Sequence, residues 1–595
     1  MLLSDYVIRF LADRDIRDLF LVSGGGIMYL LDSVGRNPDI HYYCNYHEQA
    51  CVASAEGYAR VRNGVGGCLV TTGPGAANAI SAIPAAWVDS VPLIVICGQN
   101  KRELVGDYDK VRQLGPQEAN VVGMAKPVTK YAKSIHDPNT IRYELEFAFH
   151  QATSGRPGPV LLEIPVDVQG AEIDSEKLEG FTAPRAPSAA AELKAQAANL
   201  LAQIRTAKRP LLICGNGIHR AKAQTSLLRL LDLLHVPVVV PLTAKDVIYE
   251  DHPMNIGVFG TAGQRRANFA LQNSDCIVAI GSGLNSQKVG FNVQGFAPKA
   301  KKIIVDIDRN QLENQIINPD IAIEADAALL LEQMISLLEV QPYSAPKKWL
   351  NACARWKERY PMLMDDYFTD KEHVNSYVFH DRLAGILTSD DVVVTGNALD
   401  TTSYFQSFRV KKGQRTFNSG WGAMGWCLPM AIGACIGHGR KRTICVTGDG
   451  SFQFNSQELL TIQHYNLPVK IFVFNNKGYS NIRGTQENFF QGRYVAVDPP
   501  SGVATPNFSK LAEAYGFGYC SIKNHVDLES GVRCALGKDG PVLCEVNISP
   551  SQRIFPKASA FKRPDGTFES RPLEDMAPFL SREEIRENME QFDED

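Results

Sequence analysis

Arg442-Thr-Ile-Cys-Val-Thr-Gly-Asp449-Gly450 and, after 24 further residues, Asn475-Asn476 are the stretches that decide the reading of this chain. The first is an apolar, strand-like run that breaks at Gly448-Asp449-Gly450 and passes into Ser451-Phe-Gln-Phe-Asn-Ser-Gln-Glu-Leu-Leu460, which reads as a helix start. The second Asn closes another such run, Val469-Lys-Ile-Phe-Val-Phe-Asn-Asn476. Two parallel strands ending side by side would bring Asp449 and Asn476 to the carboxyl edge of a sheet, where open α/β folds bind ligands. An Asp carboxylate and an Asn carbonyl are hard oxygen ligands suited to Mg²⁺, which phosphates and water usually complete. The glycines let backbone approach a phosphate, and the helix start offers free N–H groups to an anion.

Outward from this stretch, short apolar strands alternate with longer amphipathic segments, as at 67–71, 210–214, 275–280, 302–306 and 391–395. That alternation predicts an α/β protein with three doubly wound parallel sheets, helices on both faces of each. At 595 residues the chain is too long for one core. Two Ala/Pro-rich stretches, Phe181-Thr-Ala-Pro-Arg-Ala-Pro-Ser-Ala-Ala190 and Val340-Gln-Pro-Tyr-Ser-Ala-Pro346, read as linkers. They give domains at 1–180, 190–340 and 347–548, with a charged tail at 549–595 that ends in a short helix capped by Ser581. The tail has two readings, a cover over an active site or a neighbouring subunit, and an exposed extension.

The composition is that of an ordinary soluble protein, 45% hydrophobic and 21% charged with a formal net charge of −4. Nothing there points to nucleic acid, and the longest apolar runs are far shorter than a membrane span. The amino terminus lacks the basic and apolar regions of a secretory signal, so the expected location is cytoplasmic. Thirteen cysteines without framework spacing read as reduced, buried thiols.

Asp449 and the Asn pair resemble the thiamine diphosphate (ThDP) signature of the acetolactate synthase and pyruvate decarboxylase superfamily. In that family the Asp, the second Asn and a carbonyl two residues later hold the metal. The resemblance therefore implies Mg²⁺ on Asp449, Asn476 and the Gly478 carbonyl, with Gly448, Gly450, Ser451 and Tyr479 around the diphosphate. His47-Glu48-Gln-Ala50, before a small-residue helix, matches the family's His-Glu-x-Ala pattern. It assigns Glu48 to the pyrimidine N1′, where a carboxyl group promotes the reactive imino tautomer. The loops Leu21-Val-Ser-Gly-Gly-Gly26 and Thr71-Thr-Gly-Pro-Gly-Ala-Ala-Asn78 line the family's pyrimidine cavity, implicating Gly25, Gly26, Thr72 and Asn78. Ser419-Gly-Trp-Gly-Ala-Met-Gly-Trp-Cys-Leu-Pro429 resembles the segment whose bulky residue bends the cofactor. Met424 is expected as that wedge, the Gly422 carbonyl as partner of the aminopyrimidine N4′, and Asn397 as a second diphosphate contact.

The likeness covers nearly the whole chain and is closest to the acetolactate synthases, which decarboxylate pyruvate and pass the two-carbon unit to a second 2-oxo acid. Gln117 matches their substrate-facing Gln. Three departures bear on the acceptor: Pro116 replaces an aromatic residue, Asn481 a Met and Thr485 a Trp. With Arg483 nearby as a carboxylate or phosphate partner, these describe a roomier, more polar pocket. The charged tail is similar to that of a branch acting on keto-sugars, so a 2-oxo acid and a keto-sugar both stand as acceptors. A simple decarboxylase and a flavin-linked oxidase are the other enzymatic readings. FAD stays open: Gly260, Thr261, Gly281, Asn285, Asp306, Asp308 and Asp326 stand where the flavin enzymes of the family hold the dinucleotide, but Gly283 replaces their Arg. Because Glu48 and Asp449 lie in different domains, the resemblance implies a homodimer or homotetramer with active sites between subunits.

Overall fold

Three six-stranded sheets, all parallel, follow one another along the chain. The structure, a computed structural model, describes residues 1–184, 190–563, 565–566, 568–590 and 592. The first sheet contains β1 (Asp18–Leu21), β2 (His41–Cys44), β3 (Gly66–Val70), β4 (Leu93–Gln99), β5 (Tyr131–Ser134) and β6 (Pro159–Pro165). Its order is β2-β1-β3-β4-β6-β5. The second has β7 (Pro210–Cys214), β8 (Val238–Val240), β9 (Asn255–Val258), β10 (Cys276–Ile280), β11 (Lys301–Asp306) and β12 (Ile321–Glu324), ordered β12-β11-β10-β7-β8-β9. The third has β13 (Val392–Thr395), β14 (Thr416–Phe417), β15 (Thr443–Gly448), β16 (Val469–Asn475), β17 (Gly518–Ile522) and β18 (Val542–Asn547), ordered β14-β13-β15-β16-β18-β17. The central strands are buried on both faces, so they read as continuous apolar runs instead of alternating ones.

The first and third sheets have the same topology, and their strand order reverses at β1/β3 and at β13/β15. Such a switch point opens a crevice at the carboxyl ends of the strands. In the first sheet the loops leaving it are 22–26 and 71–75; in the third they are 396–398 and 448–451. The middle sheet is wound differently. Counted from β7 it has the 3-2-1-4-5-6 order of dinucleotide-binding sheets, with its switch point between β7 and β10.

Helix Glu48–Arg62 of the first domain packs on helix Cys427–Gly437 of the third. Small residues make this possible. A Cβ on Gly57 would lie 2.1 Å from the Met430 carbonyl oxygen, and one on Gly433 1.7 Å from that of Ser54. The two helices therefore meet backbone to backbone, inside an apolar core shared by both sheets.

Of the linker expected at 181–190, residues 185–189 lie outside the described residues. The tail is docked and not a free extension: it folds back onto the chain's own middle domain and onto helix Lys347–Arg359. Lys557–Ala558 pairs antiparallel with Met576–Ala577, and the Ala558 N–H donates to the Thr261 carbonyl at 2.6 Å. Helix Arg582–Glu590, with Ser581 Oγ accepting the Glu584 N–H, places Asn588 against Trp356 and Asn273 at 2.7 and 3.0 Å. Phe592 packs on Trp349. The tail's apolar and amide side chains are spread too thinly through charged sequence to show a face.

The cysteine expectation also needs correction. Cys520 on β17 and Cys534 on the following helix form a disulfide, and Cys44 is exposed; the other free cysteines are buried. The 14-residue separation reflects one strand-to-helix turn, which no framework pattern would reveal. Among the described residues no helix is long and apolar enough to cross a membrane.

Candidate active site

β15 and β16 lie side by side with Gly448 paired to Phe474, so Asp449 and Asn476 leave the sheet together. Asp449 is buried and takes the N–H of Gly450 on Oδ1 at 2.7 Å and that of Gly478 on Oδ2 at 3.0 Å. Burial pushes its carboxyl up to about 6 against those donors. The Asn476 Oδ1 is buried with no hydrogen-bond partner. A buried carboxylate beside a bare amide oxygen is a donor set that fits a hard cation. Gly478 has φ +123°, and a Cβ there would sit 2.2 Å from the Val497 carbonyl oxygen, so only glycine makes this turn. A Cβ on Gly450 would meet the Tyr479 ring at 2.3 Å, while Gly448 faces open space.

On helix Ser480–Phe490, Asn481 and Thr485 are exposed on one face. Arg483 is not with them, a correction to the expected substrate pocket. It is buried and donates to the carbonyls of Asn476, Lys477 and Pro550 at 3.4, 3.0 and 2.8 Å. Its two Nη atoms are spent on backbone while its buried Nε has no partner; two residues beyond Asn481 a helix turns about 200° and faces inward.

In the first domain, Glu48 opens its helix, with His47 Nδ1 accepting the Gln49 N–H at 3.1 Å. Asn78 Nδ2 donates to Glu48 Oε2 at 3.0 Å, and a Cβ on Gly75 would lie 3.0 Å from Glu48 Oε1. Gly26 donates to Thr71 Oγ1 at 3.2 Å and leaves no room for a Cβ beside Thr72 Oγ1, while Gly25 faces open space. Gln117 is exposed at φ +60°, its carbonyl set against Gly73. Pro116 accepts from Asn100 at 2.9 Å. Glu118 went unnoticed in the sequence. Buried, it takes the N–H groups of Gly106, Leu114 and Gly115 at 2.5, 2.5 and 2.9 Å, tying the loop that presents Gln117. Burial alone would raise its carboxyl, but these donors hold it below the ordinary carboxylate range.

The segment 419–429 joins the two sides. Gly422, at φ +72°, faces open space and its carbonyl accepts from Asn397 at 3.1 Å, so two expected cofactor contacts touch each other. Met424 is half-buried next to Gly425, which donates to Ser451 Oγ at 2.8 Å and accepts from Asn455 at 3.0 Å. Asp89 Oδ2 takes the Gly420 N–H at 2.7 Å and Arg60 Nη1 at 3.1 Å; Trp426 Nε1 donates to Glu56 at 3.0 Å. Burial lifts Glu56 to about 7. The contacts of Asp89 with Gly420 and of Glu56 with Trp426 span 331 and 370 residues of sequence and left no local signal. Among the described residues no hydrogen bond or ion pair joins Glu48 to Asp449 or Asn476.

The middle domain carries a cavity of about 1030 Å³ at its switch point. Gly281, Asn285, Asp306, Asp308 and Asp326 line it, together with Arg156 and Trp87 of the first domain and Gly420 of the third. Gly260 and Thr261 are not among its lining residues. They follow β9 at the sheet edge, where Thr261 bonds Gln287 and the tail residue Ala558.

Comparison with known proteins agrees with this arrangement. Residues 1–124, 197–334 and 396–546 match, in turn, the N-terminal TPP binding domain, the central domain and the C-terminal TPP binding domain of thiamine pyrophosphate enzymes. The fold and site thus define a three-domain, ThDP-dependent enzyme. The chain is 31% identical over 566 residues to an acetolactate synthase large subunit of Porphyra purpurea, covering 91% of each. It is 30% identical over 554 residues to the isozyme 1 large subunit of Escherichia coli, covering 93% of this chain and 95% of the relative. A probable acetolactate synthase large subunit of Methanocaldococcus jannaschii is 31% identical over 566 residues, covering 93% and 92%. The chain belongs to the acetolactate synthase family.

Proposed function

We propose that this enzyme decarboxylates pyruvate and joins the resulting two-carbon unit to a second 2-oxo acid, with ThDP and Mg²⁺. The observation that carries the reading is Glu48 held by Asn78 on one domain and, on another, the buried Asp449 carboxylate with the unpartnered Asn476 Oδ1. ThDP supplies the carbanion chemistry when bound. Glu48 would hold the proton at the pyrimidine N1′, and Asn78, donating to Oε2, keeps that carboxyl in place. Asp449, Asn476 and the Gly478 carbonyl would hold Mg²⁺; Gly448, Gly450 and Ser451 offer the diphosphate a helix start without side-chain obstruction. Met424 and the Gly422 carbonyl are assigned to orienting the cofactor, and Gln117 to the substrate.

The separation of Glu48 from the metal loop supports a homodimer or larger homo-oligomer in which each site draws on two subunits. Exposed Tyr46, Trp421 and Phe454 give these surfaces apolar area for a second copy.

A keto-sugar acceptor is the second reading, favoured by the neutral, exposed Asn481 and Thr485 and by the loss of Arg483 from that face. For the middle-domain cavity we infer a flavin dinucleotide. The dinucleotide strand order and the crevice at β7/β10 fit a dinucleotide, and the lining Asp306, Asp308 and Asp326 fit its ribose hydroxyl groups.

The test is mass spectrometry of products from pyruvate alone, pyruvate plus 2-oxobutyrate, and pyruvate plus keto-sugars, with CO₂ release measured for wild type and Glu48→Gln. A fall of about 100-fold or more in the variant is expected. An unchanged rate in Glu48→Gln would sink the mechanism; free aldehyde, or acetate with peroxide, would replace ligation by simple decarboxylation or oxidation.

A further inference from the structure

Gln117 holds its backbone at φ +60°, and its carbonyl is set against Gly73 so closely that a Cβ there would lie 1.6 Å from the oxygen. A left-handed glutamine is opposed by its own Cβ. Such a conformation persists only where the surroundings over-determine it, and such positions cluster at functional sites. The loop 73–75 that meets Gln117 also adjoins Glu48, since a Cβ on Gly75 would lie 3.0 Å from Glu48 Oε1. Whatever fixes the turn at Gln117 therefore sets its place relative to Glu48.

Glu118 supplies one side of the restraint through the N–H groups of Gly106, Leu114 and Gly115. The other side is built from the carboxyl end of β4. Gln99, its last residue, is fully buried, and Glu163 on the same face of the adjacent strand β6 accepts Gln99 Nε2 at 3.1 Å. The same Nε2 reaches the Ala119 carbonyl and the Tyr108 hydroxyl, each at 3.4 Å, and that hydroxyl donates in turn to the Ala119 carbonyl at 2.9 Å. Gln99 Oε1 accepts the N–H of Asn100 at 2.8 Å and its Nδ2 at 3.3 Å. Asn100 Nδ2 passes on to the Pro116 carbonyl at 2.9 Å. One buried amide is thus joined, directly or through one side chain, to the carbonyls on either side of Gln117-Glu118. A buried polar network with its donors and acceptors satisfied is rigid, and this one fixes both ends of the left-handed turn. Gln99 and Glu163 are themselves buried, so what they do for the reaction is done through the loop.

We propose that Gln99, anchored on Glu163, is a positioning residue for the substrate: through Asn100 and Tyr108 it locks the left-handed turn that presents the Gln117 side chain. The assignment rests on the reading given above in which Gln117 meets pyruvate.

The test uses the full-length protein saturated with ThDP and Mg²⁺ and reads steady-state kinetics with pyruvate beside amide hydrogen exchange of residues 104–119. Gln99→Met keeps the bulk of the side chain and removes its amide. KM for pyruvate is expected to rise about tenfold with kcat within about threefold of wild type, and exchange in the loop to quicken. Gln117→Gly removes the side chain but adopts the same φ freely; it should raise KM by itself and make Gln99→Met nearly silent when the two are combined. A merely structural Gln99 would give the same loss in both backgrounds. If Gln99→Met does not fold, Asn100→Ala is measured in its place, and a rise in KM above about threefold is required. A raised KM in Gln117→Gly with a wild-type KM in Gln99→Met overturns the positioning role and leaves the proposed function standing. A wild-type KM in Gln117→Gly removes Gln117 from the substrate, and the positioning role with it. No CO₂ from pyruvate in wild type overturns the proposed function and the positioning role together.

Discussion

The guanidinium of Arg483 lies against the main-chain carbonyl of Asn476, with its Nη2 at 3.4 Å, and thereby grips the loop whose Asn476 Oδ1 is buried without a partner. The same group reaches Lys477 and Pro550, tying the loop 476–478 to the start of the tail. Arg483→Met would leave three carbonyls without these donors and free the Asn476 turn. The half-saturating Mg²⁺ and ThDP concentrations should rise about tenfold, with kcat at saturation within about threefold of wild type, the pattern of lost positioning rather than lost chemistry. Cofactor titration of the apoenzyme reads this out. A fall in kcat with unchanged half-saturation would contradict it.

What the sequence disclosed and what it hid follow one physical divide. Asp449, Asn476 and Glu48 were legible because each ends an apolar run at a glycine or a helix start, a local event with a local signature. Arg483 was misplaced because the inward face of helix Ser480–Phe490 is set by Pro550, some 70 residues away. Gly260 and Thr261 were placed with an FAD by analogy of strand ends; they follow the edge strand β9, where the tail residue Ala558 bonds the Thr261 carbonyl, a long-range contact with no local signature. Glu118 gathers backbone N–H groups of its own irregular loop and Asp89 that of Gly420 in another domain, and no spacing rule captures either. The strand-helix alternation, by contrast, is repeated in every domain, so the class of fold was readable throughout.

The contact between helices Glu48–Arg62 and Cys427–Gly437 makes a stability prediction. Gly433→Val places carbon within van der Waals overlap of the Ser54 carbonyl, where neither backbone can yield. A loss of about 3 kcal/mol or more is expected, at the upper end of overpacking costs, with weaker ThDP binding because Glu48 and segment 419–429 both adjoin these helices. Gly537→Ala, which meets nothing within 4 Å, is the control and should change stability by less than about 0.5 kcal/mol. Denaturant melts of both variants decide the matter, and equal stabilities would mean the helices slide apart without cost.

Gly73 and Gln117 define a second tight contact. Gly73 has φ +52°, and a Cβ there would sit 1.6 Å from the Gln117 carbonyl oxygen. Gly73→Ala should push back the loop held by Glu118, lowering kcat/KM for pyruvate at least tenfold while Mg²⁺ half-saturation stays put. Steady-state kinetics at saturating cofactor tests this; a change confined to Mg²⁺ would place the loop elsewhere in the mechanism.

The acid limb of stability should be set in part by Glu250 in the middle domain. Its carboxylate is buried and meets Arg266 Nη2 at 2.6 Å and Lys245 Nζ at 3.4 Å. Burial opposes ionisation, but the two cations prevail and bring the carboxyl from 4.5 down to about 2. Burial also pulls Lys245 below its ordinary range, yet its charge is the largest of those that lower Glu250, followed by the charge and hydrogen bond of Arg266. A folded pKa below the unfolded one means the stabilisation is fully present above pH 4.5 and is lost as pH falls towards 2. At about 1.4 kcal/mol per unit this is worth about 3 kcal/mol. Glu250→Gln should be less stable than wild type at pH 7, because Lys245 and Arg266 lose their counter-charge, and its stability should fall less steeply between pH 4.5 and 2. Urea melts across that range measure the slope, and parallel curves for the two proteins would assign the acid transition to other carboxylates.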